Sequence, residues 1–372
     1  MVNALQGADP AMRVVWTVDV RAHDQAELAR FLTKTVESGD PWAAKRAATG
    51  RIAPVPVVLW EFGNEVDWVG PKHALSLDDY VAACRKAMTA IRSVVPDAHF
   101  APHLATAPWA WEERFHSDWR TWHRRLLQEF ANDIDFLAFH PYYFGYPTSI
   151  IEHYMDVVRD DIRSLTGAAR IKLYISEHGL WPGAAKGEKW ETSWWTTHGI
   201  PGCLGTAQFL NRVAARPDVG PVTYHNLSSG PWGMVYRGKK SQSLYTTGIA
   251  DLFALYGAYL GDQVVDSVMS GAQTDPRADD CSLTCLATHT AAGVDLILVN
   301  RLDTTRRALT LNFADATYDV VSSTTLTAAS ATARNTESEQ QILVTTSTTP
   351  LAHLTSYDLP PRAVVGLHLH RH

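Results

Sequence analysis

Cysteine is scarce in this sequence, with four residues in 372. They are Cys84, Cys203, Cys281 and Cys285, and none forms a CxxC pair. Cys281 and Cys285 are four positions apart, which is too far to bridge along one extended strand. We therefore expect four reduced thiols, a state that favours a reducing compartment.

Long apolar runs and an excess of positive charge are also missing. No run approaches the length of a membrane span, and residues 1–7 lack the charged and apolar regions of a signal peptide. The net charge is −6, and no basic stripe occurs. We therefore expect a cytoplasmic protein with neither a membrane nor a nucleic-acid partner.

Several catalytic motifs are absent as well. The sequence has no GxSxG and no glycine-rich phosphate loop. His103, His140, His178 and His225 each follow or end a short apolar run, but no HxH or HExxH spacing joins them. Such histidines are more typical of a pocket that hydrogen-bonds a substrate than of a metal centre. We therefore expect neither a metal nor an organic cofactor.

Apolar runs of strand and helix type alternate from residue 12 to residue 260. The sequence is 46% hydrophobic and 19% charged, which is enough for a sizeable core. Strands are predicted at 12–20, 57–62, 98–103, 134–140, 171–176 and 219–226. Helices are predicted at 24–37, 78–95 (capped by Asp78), 117–131, 149–165, 203–215 and 246–260, with a polar loop between the first helix and the second strand. The alternation predicts a parallel α/β domain over residues 1–262.

The pattern changes after residue 262. Short strands are predicted at 296–300, 308–313, 318–321 and 363–369, separated by turns rich in Thr and Ser. In residues 322–349 the interspersed Leu and Val predict edge strands and loops rather than disorder. Residues 263–372 are therefore predicted to form an all-β antiparallel sandwich domain.

Two glutamates directly follow apolar strands of the α/β domain. The strand at 57–62 leads into Gly63-Asn64-Glu65, and the strand at 171–176 leads into Glu177. In a barrel of eight parallel strands, residues just past the strand ends line one central pocket. Two carboxyl groups at such a pocket are the machinery of glycoside hydrolysis, because one protonates the leaving oxygen while the other attacks the anomeric carbon.

Four motifs resemble those of the retaining clan A glycoside hydrolases, and most of all the α-L-arabinofuranosidases of glycoside hydrolase family 51. The motifs are Trp60-Glu61-Phe62-Gly63-Asn64-Glu65 with Gly70-Pro71 beyond it, His140-Pro141-Tyr142-Tyr143, Ser176-Glu177-His178-Gly179 with Trp181 beyond it, and Ala207-Gln208-Phe209-Leu210-Asn211. The resemblance covers residues 12–262. It implies a (β/α)8-type (TIM) barrel followed by a β-sandwich, and a carbohydrate as substrate.

The resemblance also implies roles for individual residues. Glu65 would be the acid/base and Glu177 the nucleophile of a double displacement that releases terminal arabinose from hemicellulose-derived saccharides. Asn64 would hydrogen-bond the sugar hydroxyl beside the anomeric carbon, and Tyr142 would hold Glu177 ionised. The other expected substrate contacts are Trp60, His140, Trp181, His225 and Asn226. The tryptophans at 190, 194 and 195 fit either a pocket lid or a packed loop.

The sequence departs from the family pattern around the nucleophile. Ser176 and His178 stand where the family usually has an Asp and a Trp, and a family glutamine on the last strand falls near His225 or Asn226. These changes alter the sugar pocket. They leave open another clan A glycosidase (β-xylosidase, β-glucosidase or endoglucanase) or a non-catalytic carbohydrate-binding remnant.

The first two βα units of the family's barrel have no counterpart here. We therefore expect an N-terminally truncated barrel with six convincing strands. A six-stranded parallel sheet cannot close in the usual eight-strand geometry, so apolar surface would be exposed at its edges. Three explanations are open: a truncated chain, a second protomer that covers the edges, or an open barrel with weak activity. The exposed apolar surface favours the second, a homo-oligomer.

Overall fold

The computed structural model describes residues 2–68, 74–106, 119–145, 148–167, 170–183, 187–275, 278, 281–291, 293–314 and 316–372. The described helices are α1 (Val2–Ala8), α2 (Gln25–Thr33), α3 (Pro41–Ala48), α4 (Leu77–Arg92), α5 (Trp119–Phe130), α6 (Ser149–Thr166), α7 (Trp195–His198), α8 (Ile200–Ala214) and α9 (Gly248–Tyr259). Short 3-10 turns lie at Val36–Ser38, Trp190–Ser193 and Gly230–Trp232.

Ten of the described strands lie in the first part of the chain, before residue 262, and eight lie in the second part. The first part contains β1 (Val14–Val18), β2 (Val57–Phe62), β3 (Phe100–Pro102), β4 (Phe136–Phe139), β5 (Tyr142–Tyr143), β6 (Lys172–Ile175), β7 (Gly179–Leu180), β8 (Val219–Val222), β9 (Val235–Arg237) and β10 (Leu244–Thr246). The second part contains β11 (Gln263–Val265), β12 (Leu283–Thr290), β13 (Gly293–Asn300), β14 (Arg307–Thr310), β15 (Tyr318–Ala328), β16 (Ile342–Ser347), β17 (Ser356–Leu359) and β18 (Ala363–Arg371).

The chain divides into two compact units. Unit 1 comprises Met1–His140, Tyr154–Ser176 and Gly220–Val222, and unit 2 comprises Pro141–His153, Glu177–Val219 and Thr223–His372. The predicted boundary at residue 262 instead follows the change from α/β to antiparallel elements, and it stays a prediction.

Unit 1 is organised around strands that neighbour each other in chain order. One sheet has the order β1-β2-β3 and another β4-β6-β8, and a parallel bridge from His103 to Ala138 links β3 to β4. The pairs β1–β2, β2–β3 and β4–β6 are parallel. All six strands predicted for the α/β domain are confirmed, each within a few residues of its predicted ends.

The core of unit 1 takes side chains from successive strands. Leu59, Ala101, Ala138 and Tyr174 form one buried cluster, with Val15 and Phe136 packed against it. Burial on both faces suits the apolar runs of parallel strands. β2 carries one exception, because Glu61 lies between Trp60 and Phe62 and is only 4% exposed.

Helix α4 ties the ends of two strands together. Its buried positions recur at helical spacing, and they include Tyr80, Cys84 and Ile91. The Tyr80 hydroxyl donates to the Phe62 carbonyl at 2.6 Å and accepts from the His103 amide at 2.6 Å. The contact joins the end of β2, just before the loop that carries Glu65, to the residue that follows β3.

Two local predictions in unit 1 are wrong. The residue that caps α4 is Ser76, whose hydroxyl accepts from the Asp79 amide, while Asp78 lies inside the first turn. The polar loop before β2 contains α3, which begins with Pro41 at its first position and an Asp40 side chain that accepts from the Trp42 amide. Both starts use a capping side chain, a feature that outweighs the weak apolar periodicity of the segment.

Unit 2 contains the antiparallel part of the chain. A six-stranded sheet has the order β11-β12-β13-β18-β15-β16, and β14 pairs with β17. Leu298, Val320 and Leu367 of the large sheet share a core with Leu359 of the small ladder. The strand that begins in the predicted 318–321 segment runs on through Ala328 between β18 and β16, so part of the Thr-rich region is an interior strand and not an edge.

Helix α8 and the short β5–β7 ladder position the chemistry of unit 2. α8 is buried on nearly every side, and Tyr143 bonds its Thr206 hydroxyl at 2.8 Å. β5 and β7 pair in parallel, with Tyr142 opposite Gly179 and Tyr143 opposite Leu180. In the described residues, no helix is both long enough and apolar enough to span a membrane.

Candidate active site

The loop after β2 presents Asn64 and Glu65. Gly63 has φ +81°, and an added Cβ there would lie 2.3 Å from Cγ1 of Val66. Glu65 itself has φ +47°, an uncommon value for a residue with a side chain. Asn64 is exposed, and the Glu65 side chain is 18% exposed. The turn therefore holds a carboxyl group at the strand end, partly open to solvent.

His140 is the partner of Glu65 within unit 1. Its Nδ1 lies 3.0 Å from Oε1 of Glu65, and its side chain is 2% exposed. A carboxylate accepts a hydrogen bond from an N–H, and a carboxylic acid donates one to a bare ring nitrogen. The pair can therefore hold one proton between them, which suits a carboxyl group that gives up a proton and recovers it.

Trp60 is a core residue in this structure. Its side chain is 1% exposed, and it pairs with Trp16 and Phe100 in the sheet. A ring this deeply buried has almost no surface for a sugar. We therefore leave Trp60 out of the proposed substrate contacts. Trp68, by contrast, has a side chain that is 37% exposed.

The second carboxyl group lies in unit 2, where it forms a compact polar cluster. The Tyr142 hydroxyl donates to Oε2 of Glu177 at 2.7 Å. Nδ1 of His225 lies 2.5 Å from the same hydroxyl and 3.5 Å from Oε2 of Glu177. Tyr142 has one proton, so its donation to Glu177 leaves its oxygen to accept from an Nδ1–H of His225. The hydrogen bond stabilises the ionised form of Glu177.

Aromatic rings surround this cluster in unit 2. The Tyr142 ring lies 4.8 Å from Trp232 and 5.6 Å from Trp181, centre to centre. Trp232 donates its indole N–H to the Leu180 carbonyl at 2.8 Å, and a Cβ on Gly179 would come within 2.7 Å of its ring. Trp190 packs against Trp181 at 5.7 Å, so part of the tryptophan-rich segment belongs to this wall.

Sequence reasoning missed Trp232. The signal that could have found it is Gly179, since a glycine two residues after a strand-end glutamate indicates that another group approaches the backbone closely.

Asn226, which was a predicted substrate contact, and His178, which was only one of the four noted histidines, have different surroundings. The Asn226 amide donates to the Ser229 carbonyl at 3.1 Å and its oxygen accepts from the Ser229 amide at 2.7 Å, so it closes a turn. The peptide between His225 and Asn226 is cis. His178 is fully buried, and neither ring nitrogen has a hydrogen-bond partner among the described residues. Burial lowers the pKa of His178 to about 3.

Glu61 and His103 were also missed as polar groups near the site. Glu61 is a carboxyl group inside an otherwise apolar strand, which is itself a signal because such groups are rarely buried without a partner. His103 was noted only as one of four histidines, and it is fully buried.

Comparison with known proteins gives a fold and no closer relationship. No model of a protein family matches the chain, and no curated protein matches it. Solved structures do match. The α-L-arabinofuranosidase of Thermotoga maritima shares 14% identity over 95% of this chain and 74% of its own, with a TM-score of 0.76. The family 51 arabinofuranosidase of Xanthomonas axonopodis pv. citri shares 15% identity over 96% and 76%, with a TM-score of 0.73.

A third likeness comes from another glycoside hydrolase family. The family 86 β-porphyranase of Bacteroides plebeius shares 15% identity over 97% of this chain and 63% of its own, with a TM-score of 0.65. The chain is thus similar in fold to glycoside hydrolases of families 51 and 86, and the resemblance predicted from its motifs is confirmed at the level of the fold.

Proposed function

We propose that the chain is a retaining glycoside hydrolase, with an α-L-arabinofuranosidase as the particular activity. The observation that carries the proposal is the cluster at Glu177, where a partly exposed strand-end carboxylate accepts a hydrogen bond from Tyr142 beside His225. A nucleophilic carboxylate must be ionised to attack an anomeric carbon, and this cluster favours the ionised form.

Glu65 is the proposed acid/base. It would protonate the leaving oxygen in the first step and deprotonate water in the second, while Glu177 forms and releases the glycosyl-enzyme bond. The proton-sharing pair with His140 supports this role. The mechanism requires both carboxyl groups to reach one anomeric carbon.

The substrate contacts are proposed from exposure and chemistry. Asn64 would bind the sugar hydroxyl beside the anomeric carbon, and Trp181 and His225 would line the sugar. The proposed architecture is a (β/α)8-type barrel followed by a sandwich. The likeness in fold to arabinofuranosidases favours a terminal arabinose of hemicellulose-derived saccharides, and other clan A glycosides remain the alternative.

An aryl-glycoside screen tests the activity. We expect turnover of an aryl α-L-arabinofuranoside, with aryl β-xyloside, aryl β-glucoside, cello-oligosaccharides and porphyran oligosaccharides as the comparison set. Binding of a sugar without turnover of any member would contradict the enzyme proposal and favour a non-catalytic carbohydrate-binding protein.

Variants of the two glutamates test the mechanism. Glu177→Ala should abolish turnover of every substrate. Glu65→Ala should slow natural saccharides by roughly 10²–10⁴-fold but spare aryl substrates with good leaving groups, since these need little protonation. Added azide should restore rate to Glu65→Ala by attacking the glycosyl-enzyme in place of water, and an aryl α-L-arabinofuranoside should then give the α-glycosyl azide, with the configuration of the substrate retained.

The matched control is Glu27→Gln, because Glu27 is an exposed glutamate on α2. It should keep wild-type rates. Wild-type rates in Glu177→Ala or equal losses on all substrates in Glu65→Ala would show that the roles are wrongly assigned.

A further inference from the structure

Three buried polar side chains of unit 1 lie close together. Glu61 is 4% exposed, His103 is not exposed and His140 is 2% exposed. Each offers one oxygen or nitrogen atom, and these atoms all lie within 4.8 Å of one another. The group comes from β2 and from the residues that follow β3 and β4, so three neighbouring strands fix its geometry.

The ring of His103 has one nitrogen in use and one available. Nδ1 lies 2.7 Å from the Leu104 carbonyl, and because a carbonyl can only accept, Nδ1 carries the hydrogen. Nε2 therefore has a lone pair. It is buried and has no hydrogen-bond partner among the described residues. Burial and the neighbouring His140 lower the pKa of His103, which favours the neutral ring that this lone pair requires.

Glu61 shows the same division between its two oxygens. Oε2 accepts from the Thr17 hydroxyl at 3.0 Å, whereas Oε1 is buried without a partner in the described residues. No Lys or Arg in the described ranges pairs with it. A buried carboxylate without a cation is costly, so a positive charge near Oε1 would be strongly favoured.

We infer that Glu61, His103 and His140 form a binding site for a divalent transition-metal ion. Two imidazoles and one carboxylate are a donor set for Zn²⁺, Fe²⁺, Co²⁺ and related ions. The surroundings fit as well, because ligating histidines commonly donate their other N–H to a carbonyl or carboxylate. Here Nδ1 of His103 faces the Leu104 carbonyl, and Nδ1 of His140 faces Glu65. Nε2 is therefore the atom through which His103 would bind the ion.

The charge and burial indicate a structural ion. A divalent cation would offset the carboxylates of Glu61 and Glu65 in a site that three parallel strands enclose. Because all three ligands are buried, the ion would enter during folding and exchange slowly. The inference does not depend on the proposed glycosidase activity, since its tests use no substrate.

The test is the metal content of the protein expressed in minimal medium supplemented with Co²⁺ or Zn²⁺. We expect one tightly bound ion per chain after gel filtration, and a cobalt absorption spectrum with nitrogen and oxygen ligands. X-ray absorption of the zinc form should show two imidazoles and one carboxylate. Glu61→Gln and His103→Gln should each lower metal occupancy at least roughly tenfold.

The chain supplies a matched control. Asp319, His353 and His372 form a second group of possible ligands, and that group is half-buried to exposed. His353→Gln should leave the occupancy and the cobalt spectrum unchanged. Loss of the ion in His353→Gln but not in Glu61→Gln would move the site to the surface and overturn the inference. A wild-type protein that contains no ion after expression in either medium would overturn it too, because the three groups would then enclose water or share a proton.

Discussion

Tyr142 connects two of the proposed site residues through one hydroxyl group. It donates to Glu177 at 2.7 Å and lies 2.5 Å from Nδ1 of His225. Nδ1 of His225 is farther from the carboxylate, at 3.5 Å from Oε2. Of these two groups, the hydroxyl makes the shorter contact with Glu177.

Tyr142→Phe should lower kcat/KM roughly tenfold to a hundredfold, the range expected for loss of a hydrogen bond to a charged group. Steady-state kinetics on an aryl arabinofuranoside would measure the effect. Tyr143→Phe is the control, because its hydroxyl bonds Thr206 rather than Glu177. Equal losses in the two variants would mean that the effect is on stability and not on the carboxylate.

His178 predicts how stability depends on pH. Burial lowers its pKa to about 3, so the folded protein keeps the ring neutral at pH values where the unfolded chain binds a proton. Stability is therefore greatest above the ordinary histidine pKa of about 6.5 and is lost as pH falls from there towards 3. The contribution of one proton is about 1.4 kcal/mol per pH unit.

Urea unfolding measured between pH 7.5 and pH 5 would detect this loss. The His178→Gln variant should have a shallower pH dependence by about one proton, even if its stability at neutral pH is lower. An unchanged slope in the variant would show that His178 is not the titrating group. His103, whose pKa burial also lowers, should account for part of the remaining slope.

At the scale of elements, the turn after β2 has the most demanding backbone. Gly63 adopts φ +81°, and an added Cβ there would clash with Cγ1 of Val66 at 2.3 Å; Glu65 follows at φ +47°. The turn is held by the Gly63 amide, which donates to the Val18 carbonyl at 2.9 Å. A side chain at position 63 would displace the loop that carries Asn64 and Glu65.

Gly63→Ala should reduce both stability and turnover. The positive φ alone costs about 1–2 kcal/mol, and the clash with Val66 adds to it. Gly39→Ala separates the two effects, because Gly39 also has φ +72° but has open space around its Cα. We expect a similar backbone cost and normal kcat in Gly39→Ala; reduced kcat there would contradict a local role for position 63.

Much of the fold could be predicted at this scale, and the reasons are physical. The strands β2, β4 and β6 are short apolar runs, and each ends near the predicted residue because burial on both faces leaves little ambiguity. Helix α3 was missed, since it depends on a capping Asp40. The prediction of an edge strand within residues 322–349 is confirmed by β16, although its largely exposed Thr-rich sequence did not give its ends.

The position of Glu65 and Glu177 after apolar strands could be read from the sequence pattern. The contact of Tyr142 with Glu177 was expected only from the resemblance to family 51, and the two side chains are hydrogen-bonded in the structure. Trp60 and Asn226 could not be placed from sequence. An inward or outward direction at a strand position, and an amide that closes a turn, both depend on packing between distant segments.

At the scale of the whole molecule, the described parallel sheets leave two strands at their outer edges, β1 and β8. Among the described residues, β1 pairs only with β2, and β8 follows β6 at the other end of its sheet. Open sheet edges pair readily with other chains unless they are covered. Such edges are a reason to expect association, and the oligomer expected from the sequence stays a prediction.

Light scattering coupled to gel filtration should give a mass that is a multiple of the chain's. Val14→Lys, on edge strand β1, should weaken the association, because a charged residue disfavours edge-to-edge pairing. Ile150→Lys, at an exposed position on helix α6 and away from any sheet edge, serves as the comparison and should not change the mass. A monodisperse wild-type monomer would contradict the prediction.

The β5–β7 ladder has only two residue pairs, which limits the insertions and deletions that the sequence can tolerate there. Tyr142 and Tyr143 are consecutive, yet one hydroxyl meets Glu177 and the other meets Thr206. A shift of one residue would exchange them, because successive strand residues face opposite ways. Single-codon insertions or deletions between 141 and 143, or between 177 and 179, should thus be lethal to activity, whereas many substitutions at the same positions change one contact only. In a deep insertion scan, these two tripeptides should stand out as segments whose length cannot change.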